Sequence, residues 1–175
     1  ADLRPGPLSV ARANIQAAGC ADRVELRLGD GLEVLHPGED QDIIIAGMGA
    51  ETVLEILDAA PWVRNEQYNF VFVPATKHSV LRKGLAQRGF ALKSETLCRA
   101  AGRLYTVINA QYTGRAAEPT GLACLCGKTQ GQPEAQAYRE QQLVKLKKYR
   151  LGLAPGPQAD GVDALIQEME DGLWP

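Results

Sequence analysis

The stretch that most constrains the fold is 42–57, DIIIAGMGAETVLEIL. Ile43, Ile44 and Ile45, bounded by Asp42 and Ala46, make a short β-branched run of the kind found in strands buried on both faces of a helix-covered parallel sheet. The run stops at Gly47-Met48-Gly49. From Glu51 the apolar period changes, with Val53, Leu54, Ile56 and Leu57 at helical spacing and Glu51, Glu55 and Asp58 left for solvent. The stretch therefore reads as strand, turn and helix. Ligands of open α/β sheets bind outside the carboxyl ends of the strands, which places Gly47-Met48-Gly49 at a binding crevice. Glycine there also lets a ligand approach the backbone. A turn that only needs glycine geometry has the same sequence.

The rest of the chain extends this unit in both directions. Ala1-Asp2-Leu3 reads as the end of a strand, and Arg4-Pro5-Gly6-Pro7 as a turn whose Pro7 suits the first position of a helix. Leu8, Ala11, Ile15 and Ala18 mark one face of that helix, over 7–18, and Gly19 fits its C-terminal stop. Residues 24–28, VELRL, alternate as a strand broken by Gly29-Asp30-Gly31, and a short helical turn over 32–35 follows. Beyond the central unit, Trp62 anchors a connection. Residues 69–73, NFVFV, then form a buried strand closed by Pro74, and Val80, Leu81, Leu85 and Phe90 give a helix over 78–87 that Gly89 ends. Strands over 92–99 and 103–112 are separated by Ala100-Ala101-Gly102, too short a link for a parallel crossover, so they pair as an antiparallel hairpin. This order predicts a doubly wound α/β sheet that closes on a hairpin.

The C-terminal third differs in kind. Residues 114–132 are rich in Gly, Ala, Thr and Pro and read as a surface linker. A helix over 133–151, with Leu143, Leu146 and Leu153 supplying its apolar stripe, is joined by a Pro/Gly turn to a second stripe of Val162, Leu165, Ile166, Met169 and Leu173. The expected division is an α/β domain over 1–113 and a linker with a helical hairpin over 114–175.

Composition narrows the function classes. The 175 residues are 45% hydrophobic and 23% charged, as in a globular protein. No apolar run reaches the length of roughly 20 residues that spans a bilayer, so a cytoplasmic protein is expected. A net charge of −2 excludes a globally basic nucleic-acid binder but leaves room for a local basic patch. Cys20, Cys98, Cys124 and Cys126 are too scattered for a disulfide framework, and Cys124-x-Cys126 has no second ligand pair, so reduced thiols in a loop and no metal are expected. His36 and His78 stand alone and read as surface residues.

Four motifs occur in order: Asp2-Leu3-Arg4-Pro5-Gly6-Pro7-Leu8, Leu28-Gly29-Asp30-Gly31-Leu32-Glu33, Ala46-Gly47-Met48-Gly49, and Arg82 with Gly89-Phe90 and Gly102-Arg103-Leu104-Tyr105. As an ordered set they resemble the bacterial tRNA (adenine(22)-N(1))-methyltransferases, which use S-adenosylmethionine and have a Rossmann-like class I sheet and a C-terminal helical domain. The resemblance implies a cofactor pocket formed by Asp2, Gly29, Asp30, Gly31, Gly47, Met48 and Gly49. Asp2 would accept from the ribose hydroxyls, Asp30 from the adenine amine, and Gly29 and Gly31 would give the backbone room. Asp2 capping the turn before the first helix, and Asp30 capping the short turn after Gly31, are the structural alternatives.

Three departures from that family stand out. Ala50 replaces a second glycine after Gly49, and Val73-Pro74-Ala75-Thr76 stands where a more polar segment is usual. The glycine-rich first strand, with the family's candidate catalytic aspartate, has no counterpart, so no catalytic residue is assigned. The sequence opens on Ala1, and a missing upstream segment is expected. The 175 residues alone are then expected to lack methyl transfer, with five strands around an exposed or distorted middle.

The implied partner is tRNA. Lys145, Lys147, Lys148 and Arg150 put four positive charges on the first C-terminal helix, and the second carries Asp160, Asp163, Glu168, Glu170 and Asp171. The first is the RNA-facing candidate, a solvated charged face being the alternative. Two rival readings remain. A dinucleotide-binding domain would need a third glycine where Thr52 stands. A non-catalytic RNA-binding or assembly module on a degenerate methyltransferase scaffold is the other.

Overall fold

The computed structural model describes residues 1–174. Its elements, in chain order, are α1 (Pro5–Ala17), β1 (Asp42–Ala46), α2 (Ala50–Ala59), a 3-10 turn (Pro61–Val63), β2 (Asn69–Val73), α3 (His78–Gln87), β3 (Phe90–Ala100), β4 (Arg103–Tyr112), α4 (Gly121–Cys126), α5 (Ala135–Leu151) and α6 (Pro157–Glu170). The strands form one sheet in the order β1-β2-β4-β3, with β1 and β2 parallel and the other pairings antiparallel. The expected α/β arrangement closing on a hairpin is present. The hairpin turns through Ala101 and Gly102, both at positive φ, as the twist-compatible two-residue turn requires.

The core lies between one face of the sheet and α2 and α3. Ile43, Ile45, Phe70, Phe72, Ile108 and Ala110 project from the strands onto Val53, Leu57, Leu81 and Leu85. Each such large side chain is worth about 1.5–3 kcal/mol when fully buried, so this half of the sheet is well anchored. Trp62 does pack as an anchor, edge-on to Tyr68 at 5.2 Å.

Several expectations change. β1 alternates exposed and buried, and Ile44 is 67% exposed, because helices cover only one face of the sheet there. The outer edge of β1 has no strand partner among the described residues. The segments 1–3 and 24–28 do not form strands: Asp2 and Leu28 meet in a single parallel bridge. The sheet thus has four strands rather than five, since two short segments with no third partner cannot build a cooperative ladder. Leu8, Ala11 and Ile15 of α1 are only half-buried, Ala18 is exposed at the C-cap and no residue of the helix is fully buried, while Phe90, expected on the face of α3, instead opens β3.

The supposed linker contains α4, capped by Thr120 Oγ1 accepting from the Ala123 N–H at 3.1 Å. Cys124 and Cys126 are therefore buried in a helix rather than free in a loop. Leu122 and Cys126 join Leu146, Val162 and Met169 in a second cluster that fastens α4 to α5 and α6. No helix among the described residues is long and apolar enough to cross a membrane.

Candidate functional site

At the carboxyl end of β1 the chain turns through Gly47, whose φ of 77° is in the left-handed region that glycine tolerates. No atom lies within 4 Å of where a Cβ would stand, so the backbone is open to a ligand. The turn is stitched to the end of β2: Gly47 N–H donates to Val73 O, Ala75 N–H donates to Met48 O, both at 2.9 Å, and Gly49 bridges to Thr76. Gly49 also begins α2, with Glu51 in its positively polarised first turn.

Asp2 and Asp30 are held differently. Asp2 donates its N–H to Arg27 O at 3.2 Å and accepts from Gly29 N–H at 3.1 Å. One carboxylate oxygen takes the Arg4 N–H at 2.8 Å. The turn-capping alternative for Asp2 is therefore realised, and it leaves the second oxygen without a hydrogen bond among the described residues. Asp30 does not cap through its side chain. Its backbone carbonyl accepts from Glu33 N–H at 3.0 Å, and the exposed carboxylate lines a pocket of about 280 Å³ with Leu3, Glu33 and Thr52. Gly31 sits at φ 50°, and a Cβ there would come within 2.8 Å of Ile56. A Cβ on Gly29 would likewise strike Val34. Their room is taken by the protein's own side chains, not kept open for a ligand.

The segment 24–28 is held by Arg27, whose guanidinium donates to Val34 O at 2.9 Å and to both Glu25 and Glu39. The hydrogen bonds from Arg27, then that from the His36 N–H, hold Glu39 down to about 2.

A larger cleft, about 860 Å³, opens at the carboxyl end of β2 between 74–80, the start of β4 and α5. Its floor rests on a buried network. Arg82 Nη2 and Nε donate to Glu95 at 2.8–3.1 Å, Nη1 donates to Cys124 O at 2.7 Å, and Nη2 also donates to Tyr138 Oη at 3.0 Å. His78 Nδ1 lies 3.2 Å from Tyr138 Oη and Nε2 lies 3.1 Å from Pro74 O. Because a carbonyl can only accept, Nε2 carries the proton, and Tyr138 donates its hydroxyl proton to Nδ1. Burial, then the nearby Arg82 charge, lowers the His78 pKa below its ordinary 6.5, and burial raises that of Tyr138. Both are neutral at pH 7. His78 is thus no free surface residue: its partly buried ring holds the Pro74 carbonyl.

The four cations of α5 are split by helical periodicity. Lys147 is ion-paired with Glu170, and Arg150 donates to Asp163 at 2.8 Å, so both lean on α6. Lys145 faces the cleft. Lys148 is exposed and carries no ion pair among the described residues. Sequence reading missed Glu95, Tyr138 and the burial of Arg82. The signal was a charged residue at an inward position, Arg82 beside Leu81 and Leu85, with Glu95 on the same strand face as Leu97.

Known proteins bear out the resemblance carried by the motifs. Residues 1–108 match the model of a family described as a methyltransferase domain. A Bacillus subtilis tRNA (adenine(22)-N(1))-methyltransferase is 29% identical over 148 residues, 85% of this chain. The chain spans 61% of the length of that relative. Among solved structures, a Streptococcus agalactiae protein of the NADB-Rossmann superfamily superposes with a TM-score of 0.79 at 19% identity, covering 98% of this chain and 77% of the other. TrmK from M. capricolum, solved with the cofactor product S-adenosyl-homocysteine, superposes with a TM-score of 0.73 at 20% identity, covering 98% and 77%. With the fold agreeing along nearly its whole length and the family model matching well over half of it, this chain belongs to the methyltransferase domain family.

Proposed function

We propose that the chain is the greater part of a cytoplasmic enzyme that methylates N1 of an adenine in the D-arm of tRNA, using S-adenosylmethionine. The observation that supports this best is the Gly47-Met48-Gly49 turn, whose backbone is open to a ligand at the carboxyl end of β1 and is fastened to the loop after β2. The reading divides the chain into a methyltransferase-like unit over 1–113 and an appended helical part over 114–175.

The residues present suit the cofactor. Asp30 offers an exposed carboxylate with no hydrogen bond among the described residues, Asp2 has one oxygen to spare, and the open backbone at Gly47 admits close approach. Asp2 would hold the ribose hydroxyls and Asp30 the adenine amine, while Met48 and Gly49 would line the side facing the acceptor base. Gly29 and Gly31 would shape the pocket by letting Val34 and Ile56 pack beneath it. The cofactor supplies an electrophilic methyl group on a sulfonium. What the chain contributes is orientation and the exclusion of water. On α5, Lys145, Lys147, Lys148 and Arg150 would contact tRNA phosphates, Lys147 and Arg150 only by exchanging their acidic partners on α6. These residues alone are expected to lack methyl transfer, because among the described residues no strand on the open edge of β1 holds Asp2 and Asp30 against the Gly47 turn.

Calorimetry with S-adenosylmethionine tests the assignment. Asp30→Ala should weaken binding by about 1–3 kcal/mol, the cost of leaving a buried hydrogen-bonding group unpaired. Unchanged affinity would remove Asp30 from the pocket. No affinity for the cofactor, with tRNA binding intact, would favour the non-catalytic module.

A further inference from the structure

The cleft beside α5 has the chemistry of a single-stranded nucleic-acid site. Along α5, Tyr138, Gln142, Lys145 and Tyr149 fall at intervals of three to four residues and line one wall. The start of β4 adds Arg103, Leu104 and Tyr105 to the same cleft. Tyr149 is 51% exposed, a large amount for an aromatic side chain inside a concave surface. Its hydroxyl is fixed by the Gln158 carboxamide, which donates to it at 2.7 Å.

Charge in the cleft is complementary to a phosphate backbone. Lys77 is neutralised by Glu51, but Arg103 and Lys145, both lining the cleft, have no ion pair and no side-chain hydrogen bond among the described residues. Two unpaired cations and a half-exposed aromatic ring in one cleft suit a strand whose phosphates meet the cations while a base stacks on the ring. Gln142 adds a second, independent observation. It is 7% exposed, lines the cleft, and its carboxamide nitrogen has no hydrogen-bond partner. A buried amide left unsatisfied is costly, and a turn of the Gln142 side chain towards the cleft would let a ligand complete it. The cleft begins at Pro74–Lys77, the loop tied to Gly47-Met48-Gly49.

We infer that this cleft binds unpaired nucleotides of the RNA substrate that flank the methylated base, with one base stacked on Tyr149 and phosphates held by Lys145 and Arg103. The inference rests on the reading of the chain as an RNA methyltransferase and locates its substrate strand. It also separates the α5 cations by role: Lys145 acts inside the cleft, whereas Lys147 and Arg150 are committed to α6.

Fluorescence anisotropy of a labelled hexaadenylate, titrated with the 175-residue chain over a range of salt concentrations, tests it. Tyr149→Ala should weaken binding by roughly 5- to 150-fold, the range for loss of one base–aromatic stack. Tyr149→Phe, which keeps the ring, should restore most of the affinity. Arg103→Ala should lower affinity and reduce the salt slope by about 0.7, one phosphate contact on a single strand. A duplex of equal length should bind more weakly than the single strand. Wild-type affinity in both Tyr149→Ala and Arg103→Ala would overturn the cleft assignment. If tRNA still bound to those variants, the broader tRNA reading would survive that result. Absence of binding to both hexaadenylate and tRNA would overturn the two together.

Discussion

On the β3–β4 side of the sheet, one guanidinium, that of Arg82, joins α3 to β3 through Glu95, to α4 through the Cys124 carbonyl and to α5 through Tyr138, with side chains 1% and 0% exposed in the ion pair. On the β1 side, Asp2 and Asp30, two of the residues assigned to the cofactor, hang on one bridge between Asp2 and Leu28, the half-buried Arg27 with its glutamates and a helix with no buried residue. The contrast separates scaffold from site. Segments that must admit a ligand are drawn from the less stable parts of a fold, while the parts that hold their geometry are buried and cooperative. The C-terminal helices belong to the scaffold by this criterion, since Tyr138 reaches through the network to the loop carrying Pro74.

Hydrogen exchange gives the widest separation between the two sides. The amides of Asp2 and Gly29 should open locally at little cost, whereas those of the interior strands β2 and β4 should exchange only on global unfolding, a gap in protection of more than about a thousandfold. Similar protection in both places would break the contrast. Bound cofactor should narrow it from the β1 side.

The buried pair can be broken directly. Glu95→Ala leaves Arg82 charged and unpaired, which should cost about 3–5 kcal/mol in urea denaturation. Replacing both, Arg82→Met with Glu95→Leu, should cost much less, because removing a buried pair together avoids the stranded charge. A loss below about 1 kcal/mol in the single variant would show that the network does not hold the scaffold.

A smaller effect comes from pH. His78 is shifted down, chiefly by burial. As pH falls through its ordinary 6.5 the unfolded chain takes up a proton that the folded chain refuses. The contribution of neutral His78 is therefore fully present above that value and is lost progressively below it, towards the folded-state pKa, at no more than about 1.4 kcal/mol per pH unit. Between about pH 7.5 and 5.5, His78→Gln should show a flatter stability profile than the parent. Carboxylates such as Glu39, held near 2, lose their contribution only at much lower pH. Parallel profiles would mean that His78 is solvated like an ordinary surface histidine.

The alternation of apolar residues was enough to place β2, α3 and β4 at their ends, because each has a period that matches its own burial pattern: Phe70 and Phe72, Leu81 and Leu85, Ile108 and Ala110. The ordered glycine and aspartate motifs carry the resemblance to the methyltransferases by themselves. Three further features depended on tertiary structure, each for a physical reason. Whether Ile44 is buried is decided by which helices cover the sheet, and a run of isoleucines reads the same with one face bare. Whether 24–28 forms a strand is decided by a partner for its backbone, which local β propensity cannot supply. That Arg82, Glu95, Tyr138 and His78 meet, although spread over 60 residues of chain from His78 to Tyr138, depends on how α3, β3 and α5 converge. Local periodicity determines which face of an element turns inward; what it meets there is set by long-range packing.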